Sequence, residues 1–314
     1  MPVEILAMGE AMVEFNATGP AGEGATYVQG FGGDTSNAAI AAARQGAAAG
    51  YLSAVGEDVF GEALLGLWRR EGVDASCVKR DAGAPTGIYF VTHGPQGHSF
   101  TYYRSGSAAS RLAPADIPEA AIAAAKILHV SAISQAISAT AEAAVKHAIT
   151  CARRHGVAVS YDTNLRLKLW PLAHARATIH ATLAEADIAL PSLEDARLLT
   201  GLEEPDAIVD FYLELGAPLV ALKLGSEGSL VATRNQRRRL PGHQIKAVDA
   251  TGAGDTFAGA FLARLTAGDD PLRAATYANA AAALSTAGYG AVTPIPTRAQ
   301  VKRFLAESHA RAAS

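Results

Sequence analysis

Asp255 closes the string Thr251-Gly252-Ala253-Gly254-Asp255, which runs directly into TFAGAFLARL. A glycine-rich turn at a helix start leaves backbone N–H groups unpaired, and with the helix dipole they attract an anion such as phosphate. Gly252 and Gly254 let the backbone approach that anion with no Cβ in the way, and Gly254 is expected to need glycine backbone angles. Asp255 falls in the first helical turn, within reach of whatever reacts at the phosphate. A carboxylate there suits a general base that takes a proton from an attacking alcohol. The alternative is an acid placed at a helix N-terminus only because the dipole favours it.

The elements that must hold this turn alternate along the chain. Residues 127–131, 157–161, 187–190 and 218–222 read as buried strands, and 139–155, 173–185 and 205–216 as helices between them. That rhythm predicts an α/β fold with a doubly wound, mainly parallel sheet covered by helices on both faces. Right-handed crossovers then bring the strands' carboxyl ends to one edge, where a ligand cleft is expected. Residues 11–31 and 86–104 break the rhythm, alternating apolar and polar residues around Gly- and Pro-rich turns. They are expected to be antiparallel hairpins that join into one small β-sheet lid over the strand ends. No linker separates independent domains, so residues 1–314 are expected to form one domain with the lid inserted.

Composition narrows the classes. A formal net charge of -3 gives no reason to expect a nucleic-acid partner. No charge-free run of about 18 apolar residues exists, so no membrane span is expected. The N-terminal MPVEILAMGEAMVEF has no basic region before its apolar core and reads as a strand. Cys77 and Cys151 show no metal spacing and fit a reducing cytoplasm. The basic cluster at 234–239 reads as a solvated hairpin tip. His129, in a predicted buried strand, reads as a core residue and not as a ligand. Exposed strand edges on the lid would need covering, which makes a lid-to-lid homodimer an expectation.

At both ends the chain resembles a known family. DATGAGDTFAGAF is similar to the C-terminal signature of the ribokinase, or PfkB-type, carbohydrate kinases. The N-terminal signature is matched by Gly32-Gly33, Asn37, Gly46 and Gly56 in GGDTSNAAIAAARQGAAAGYLSAVGEDVFGE. The resemblance covers essentially the whole chain. It implies ATP, Mg²⁺ and phosphoryl transfer to a sugar hydroxyl, with Asp255 as base. The N–H groups of Gly252, Ala253 and Gly254 would then stabilise the transferred phosphoryl group. It also implies a monovalent cation such as K⁺ near Asp249, Thr251, Ser285 and Gly290. The family's Asn-x-x-Glu motif, tied to Mg²⁺ and phosphate, is replaced by Ser192-x-x-Asp195. A water-mediated metal role for Asp195 survives that change, and so does an ordinary turn at a strand end.

Other residues bear on the acceptor. Gly33, Asp34 and Asn37 open the first crossover helix beside the lid, where Asp34 and Asn37 suit sugar hydroxyls. Asp34 is equally open to a capping role. Tyr103 and Arg104 end one lid strand and Tyr89 lies on its partner. Neutral sugars rarely require an arginine, whereas a carboxylate matches guanidinium in bidentate fashion. Arg166, in YDTNLRLKLWP, follows a predicted strand and reads either as a cleft arginine or as a surface one. These strings are similar to those of the 2-keto-3-deoxygluconate kinases; fructokinases carry related lid motifs. The resemblance implies contacts from Gly33, Tyr89, Tyr103 and Arg104 to a sugar acid. It places Asn164 and Arg166 toward the nucleotide phosphates. Lys223, Gly225 and Gly228 of KLGSEGS, together with Asn279, are expected on the adenosine side, although a plain hairpin turn also explains the glycines. A neutral-sugar or nucleoside kinase, and a non-catalytic binding protein on this scaffold, are the competing readings.

Overall fold

A computed structural model describes residues 2–19, 24–94 and 97–313. Five strands lead the way into it: β1 (Ile5–Met8), β2 (Met12–Ala17), β3 (Tyr27–Gly32), β4 (Ala49–Gly56) and β5 (Asp74–Asp81). Next come β6 (Ile88–Gly94), β7 (Gly97–Tyr103), β8 (Ile127–Ser131), β9 (Ala158–Asp162) and β10 (Ile188–Ala189). The last three are β11 (Leu219–Lys223), β12 (Gly228–Thr233) and β13 (Arg237–Pro241).

Nine of these strands build one sheet in the order β13-β12-β11-β10-β9-β8-β1-β4-β5. All neighbours from β5 to β11 are parallel, and β12 and β13 add an antiparallel edge. Side chains of β1 serve both faces: Leu6 and Met8 enter one core, Ile5 and Ala7 the other. Both faces are therefore dry, as expected of a parallel sheet covered by crossover helices. The predicted helices are present as Ala139–Arg154, Leu172–Leu183 and Pro205–Leu215.

The second sheet has the order β3-β2-β6-β7. Two antiparallel hairpins, β2–β3 and β6–β7, make it up, but they join through parallel pairing of β2 with β6. The two expected antiparallel hairpins are thus present in one small lid sheet, and the seam between them is parallel. Both β2 and β6 are the outbound strands of their excursions, so they leave the main sheet in the same direction. The hairpin tips at 20–23 and 95–96 lie outside the described residues. Phe15 of β2 packs edge-on to Phe60 of the helix Val59–Glu71, which ties the lid to the core.

One helix crossing sets the geometry beneath the cleft. Gly259, in the helix Ala253–Thr266, lies so close to the helix Asp34–Arg44 that an added Cβ would fall 2.1 Å from the Ala38 carbonyl. The alanines at 38, 39, 41 and 42 are all buried there. Small residues on both helices allow two N-terminal turns, each bearing polar groups, to lie side by side.

Candidate active site

The carboxyl ends of the parallel strands supply the floor of the cleft. Glu10 follows β1, Asp162 and Asn164 lie at the end of β9, Ser192 follows β10 and Lys223 ends β11. The helix crossing then delivers Asp255 beside Asn37, whose Nδ2 donates to Asp255 Oδ2 at 2.8 Å. Asn164 Nδ2 donates to Asp34 Oδ2 at 3.0 Å, and Lys223 Nζ pairs with Asp162 Oδ2 at 2.6 Å. Asp34 is thus not a cap, since Gly33 occupies the cap position at φ 127° and no side chain caps this helix.

Asp255 is half-buried. Burial, followed by the negative charge of Asp34, pushes its carboxyl up to about 7; Asn37 and Lys223 act in the opposite sense. A base poised near neutral pH is well matched to proton abstraction from an alcohol. Above it, Gly252 is the N-cap in left-handed conformation at φ 75°, whereas Gly254 has an ordinary helical backbone. The requirement for glycine angles therefore belongs to Gly252. A Cβ on Gly254 would meet only the Lys223 side chain, with Nζ at 3.5 Å, so what glycine provides there is open approach beside a cation. Ala253 N–H donates to the Ala250 carbonyl at 3.2 Å, while Thr256 N–H donates to Gly252. Among the described residues the N–H groups of Gly252, Gly254 and Asp255 have no acceptor, whereas that of Ala253, one of the triplet 252–254, is taken.

On the far side of this turn lies a cavity of about 280 Å³. Lys223, Gly225, Gly228, Gly254, Phe257 and Asn279 are among the residues that line it. The sequence assigned Lys223, Gly225, Gly228 and Asn279 to one ligand, and they do meet at one cavity. Asn279 Nδ2 lies 3.3 Å from the Pro241 carbonyl, which fixes it on the cavity wall.

Ser192 is the N-cap of the helix Leu193–Thr200, accepting from Asp195 N–H at 3.2 Å. Asp195 Oδ2 accepts from Leu165 N–H at 3.1 Å, and burial raises its carboxyl above the usual range. These contacts are those of a strand-end turn. Arg166 is exposed and donates to the Leu165 carbonyl. Asp249 Oδ1 accepts from the N–H and hydroxyl of Thr251, and Oδ2 from Gly290 N–H at 2.9 Å. Ser285 bonds instead within its own helix, to the Ala282 carbonyl. Three of the four expected cation-loop positions are therefore knitted together.

In the lid, Tyr89 and Tyr103 lie on opposite faces. Tyr89 is directly opposite Tyr102, their rings 5.6 Å apart, while Tyr103 packs edge-on to Phe90 and is 63% exposed. Tyr89 O–H donates to Glu14 Oε2 at 2.5 Å, and burial with that neighbouring charge raises its phenol strongly. Gly32 leaves room for this hydroxyl, which would lie 2.2 Å from any Cβ there. Arg104 Nε donates to Glu10 Oε2 at 2.7 Å. Glu10, Asp162 and Tyr102 were absent from the residues singled out by sequence. A signal existed for Asp162, two residues before Asn164 at the end of a strand; none marked Glu10.

Free helix-terminal N–H groups, an adjoining cavity and a base near neutral pH define a phosphotransferase site on a doubly wound sheet. The pfkB family carbohydrate kinase model matches residues 3–298, and the chain belongs to that family. It is 37% identical to a 2-dehydro-3-deoxygluconokinase from Thermoproteus tenax, covering 96% of this chain and 94% of that one. It is 36% identical to another from Bacillus subtilis (strain 168), over 97% and 96% of the two chains. Among solved structures, a fructokinase double mutant from Vibrio cholerae O395 with fructose, ADP and potassium bound is similar at TM-score 0.85 and 30% identity, covering 97% of this chain and 98% of that one. No described helix is long and apolar enough to cross a membrane.

Proposed function

We propose that this chain transfers the terminal phosphoryl group of ATP to the 6-hydroxyl of the sugar acid 2-keto-3-deoxygluconate, giving the 6-phosphate and ADP. The observation that carries the transfer is Asp255, a carboxylate raised to about 7 beside free helix-terminal N–H groups. Asp255 takes the hydroxyl proton as the oxygen attacks, and the N–H groups of Gly252, Gly254 and Asp255 receive the charge that gathers on the phosphoryl oxygens. Asn37 aims the base through Nδ2, and its buried Oδ1, without a partner among the described residues, suits a sugar hydroxyl. The cavity at Lys223 and Asn279 takes the adenosine side, with Asn164 and Arg166 toward the phosphates.

Mg²⁺ usually keeps several waters and binds one or two carboxylates plus substrate phosphates. The Asp195 carboxylate, at the start of the helix Leu193–Thr200, fits that role through water. When bound, the ion neutralises charge between the phosphates. The loop at Asp249, Thr251 and Gly290 fits a monovalent cation that steadies the anion-binding turn; potassium is present in the Vibrio structure. The reading treats the chain as one domain with its lid inserted at about 11–31 and 86–104, acting in the cytoplasm with both cysteines reduced.

Arg104, at the end of the lid strand that pairs with the one bearing Tyr89, supports an acidic acceptor, as do the names of the two relatives. One observation favours a neutral ketose instead: Arg104 already has an internal carboxylate partner in Glu10. ADP release measured over a panel of sugars and sugar acids decides between them. A ketose such as fructose used more efficiently than 2-keto-3-deoxygluconate would overturn the sugar-acid reading.

A further inference from the structure

Four stretches of chain pass between the main sheet and the lid: residues 9–11, 32–34, 86–88 and 104–107. All four meet at Glu10. Its side chain has no solvent exposure. Oε2 holds Arg104 and Oε1 holds the Ser107 hydroxyl. A Cβ on Gly87 would lie 2.8 Å from Oε1, and one on Gly33 would lie 2.5 Å from the Glu10 carbonyl oxygen. No proposed catalytic step uses this buried carboxylate.

The way Arg104 is held matters. Nε donates to Oε2 at 2.7 Å, and Nη2 lies 2.5 Å from the same oxygen as a charge contact, without an aligned hydrogen bond. Glu10 therefore takes the side edge of the guanidinium. Among the described residues Arg104 makes its side-chain hydrogen bond through Nε, and the buried Nη2 has no hydrogen-bond partner, so the end of the guanidinium is left for a further acceptor. Tyr102 lies under the planar group, its ring centre 5.9 Å away. A fork held by its side edge is preorganised to accept a second carboxylate end-on, because the rotamer freedom of the long side chain is already removed.

We infer that Glu10 is the positioning residue that aims Arg104 at the carboxylate of the acceptor, and so sets the preference for sugar acids. This rests on the sugar-acid reading of the site. Glu10 acts through Arg104 and touches no reacting atom. It binds Arg104 together with the substrate rather than in competition with it.

The test compares wild type, Glu10→Gln, Arg104→Met and the double variant on 2-keto-3-deoxygluconate and on fructose at saturating ATP. Glu10→Gln should raise KM for the sugar acid about tenfold or more, with kcat and the fructose KM within about threefold. In the Arg104→Met background the same change should leave the acid-to-ketose ratio of kcat/KM where it was. Equal losses on both substrates would reduce Glu10 to a hinge support and overturn the inference. Tighter binding of the acid by Glu10→Gln would overturn it too, since Glu10 would then be a competitor. A wild type that prefers fructose removes the sugar-acid reading and this inference together. A wild type that prefers the acid, with an unchanged ratio in Glu10→Gln, removes the inference alone. Should Glu10→Gln not fold, Glu10→Asp retracts the carboxylate by one methylene and should give the same selective rise in KM.

Discussion

At the residue scale the behaviour of Asp255 follows from burial and from the charged and polar groups around it. Asp255→Asn keeps the shape and a hydrogen bond to Asn37 but removes the base, so kcat should fall by about two to four orders of magnitude. ATP binding, measured by titration, should stay near that of wild type because the anion donors are backbone. A variant that retained a tenth of wild-type turnover, with chemistry limiting, would exclude Asp255 as base. The raised carboxyl makes two predictions about pH. The rate under kcat/KM conditions should rise as pH passes through about 7, as Asp255 loses its proton. Stability should move the other way. Between the ordinary value of 3.8 and about 7 the ligand-free folded chain keeps a proton that the unfolded chain has released, so stability falls as pH rises through that window. Asp255→Asn removes this penalty and should melt above wild type near pH 8, with little difference near pH 4. Equal melting at both pH values would show that the carboxyl is not shifted.

At the element scale the anion-binding turn separates two uses of glycine. Gly252→Ala places a side chain at φ 75° and 3.0 Å from the Ala291 carbonyl, and should destabilise the fold by about 1–2 kcal/mol. Gly254→Ala meets no backbone, so its melting temperature should match wild type while its turnover falls through crowding of the phosphate. Thermal melts and initial rates on the two variants test this division; the reverse pattern would reassign the turn. Much of this element was readable beforehand. β8 occupies residues 127–131 as expected from its β-branched run, and the helix after Gly252 begins where the small residues start. The glycine angle was misplaced because sequence shows two equivalent glycines, and only the turn's closure onto Ala291 distinguishes them. In the lid, alternation alone could not say whether Tyr102 or Tyr103 shares a face with Tyr89. That depends on register, which a one-residue slip inverts, and register is set at the hairpin tip. Glu10 was invisible for another reason: its partners are distant in sequence and meet only when the lid has formed.

At the scale of the whole molecule the lid leaves apolar side chains on both of its edges. Val28 of β3 is 59% exposed and Tyr103 of β7 is 63% exposed. Unpaired edges with apolar residues favour association unless covered. We propose the lid as a homodimer contact, and on that proposal Val28→Glu should shift sedimentation toward the monomer. An unchanged sedimentation profile would argue against the lid as the contact. The tight crossing at Gly259 has a different consequence. Because the two helix starts touch backbone to backbone, the base and its aligning amide travel as a single rigid piece, and no side-chain adjustment can retune their spacing. Lineages built on this frame would change their diet by rewriting the lid and its hinge, where contacts are made by side chains, while inheriting the proton-transfer geometry unaltered.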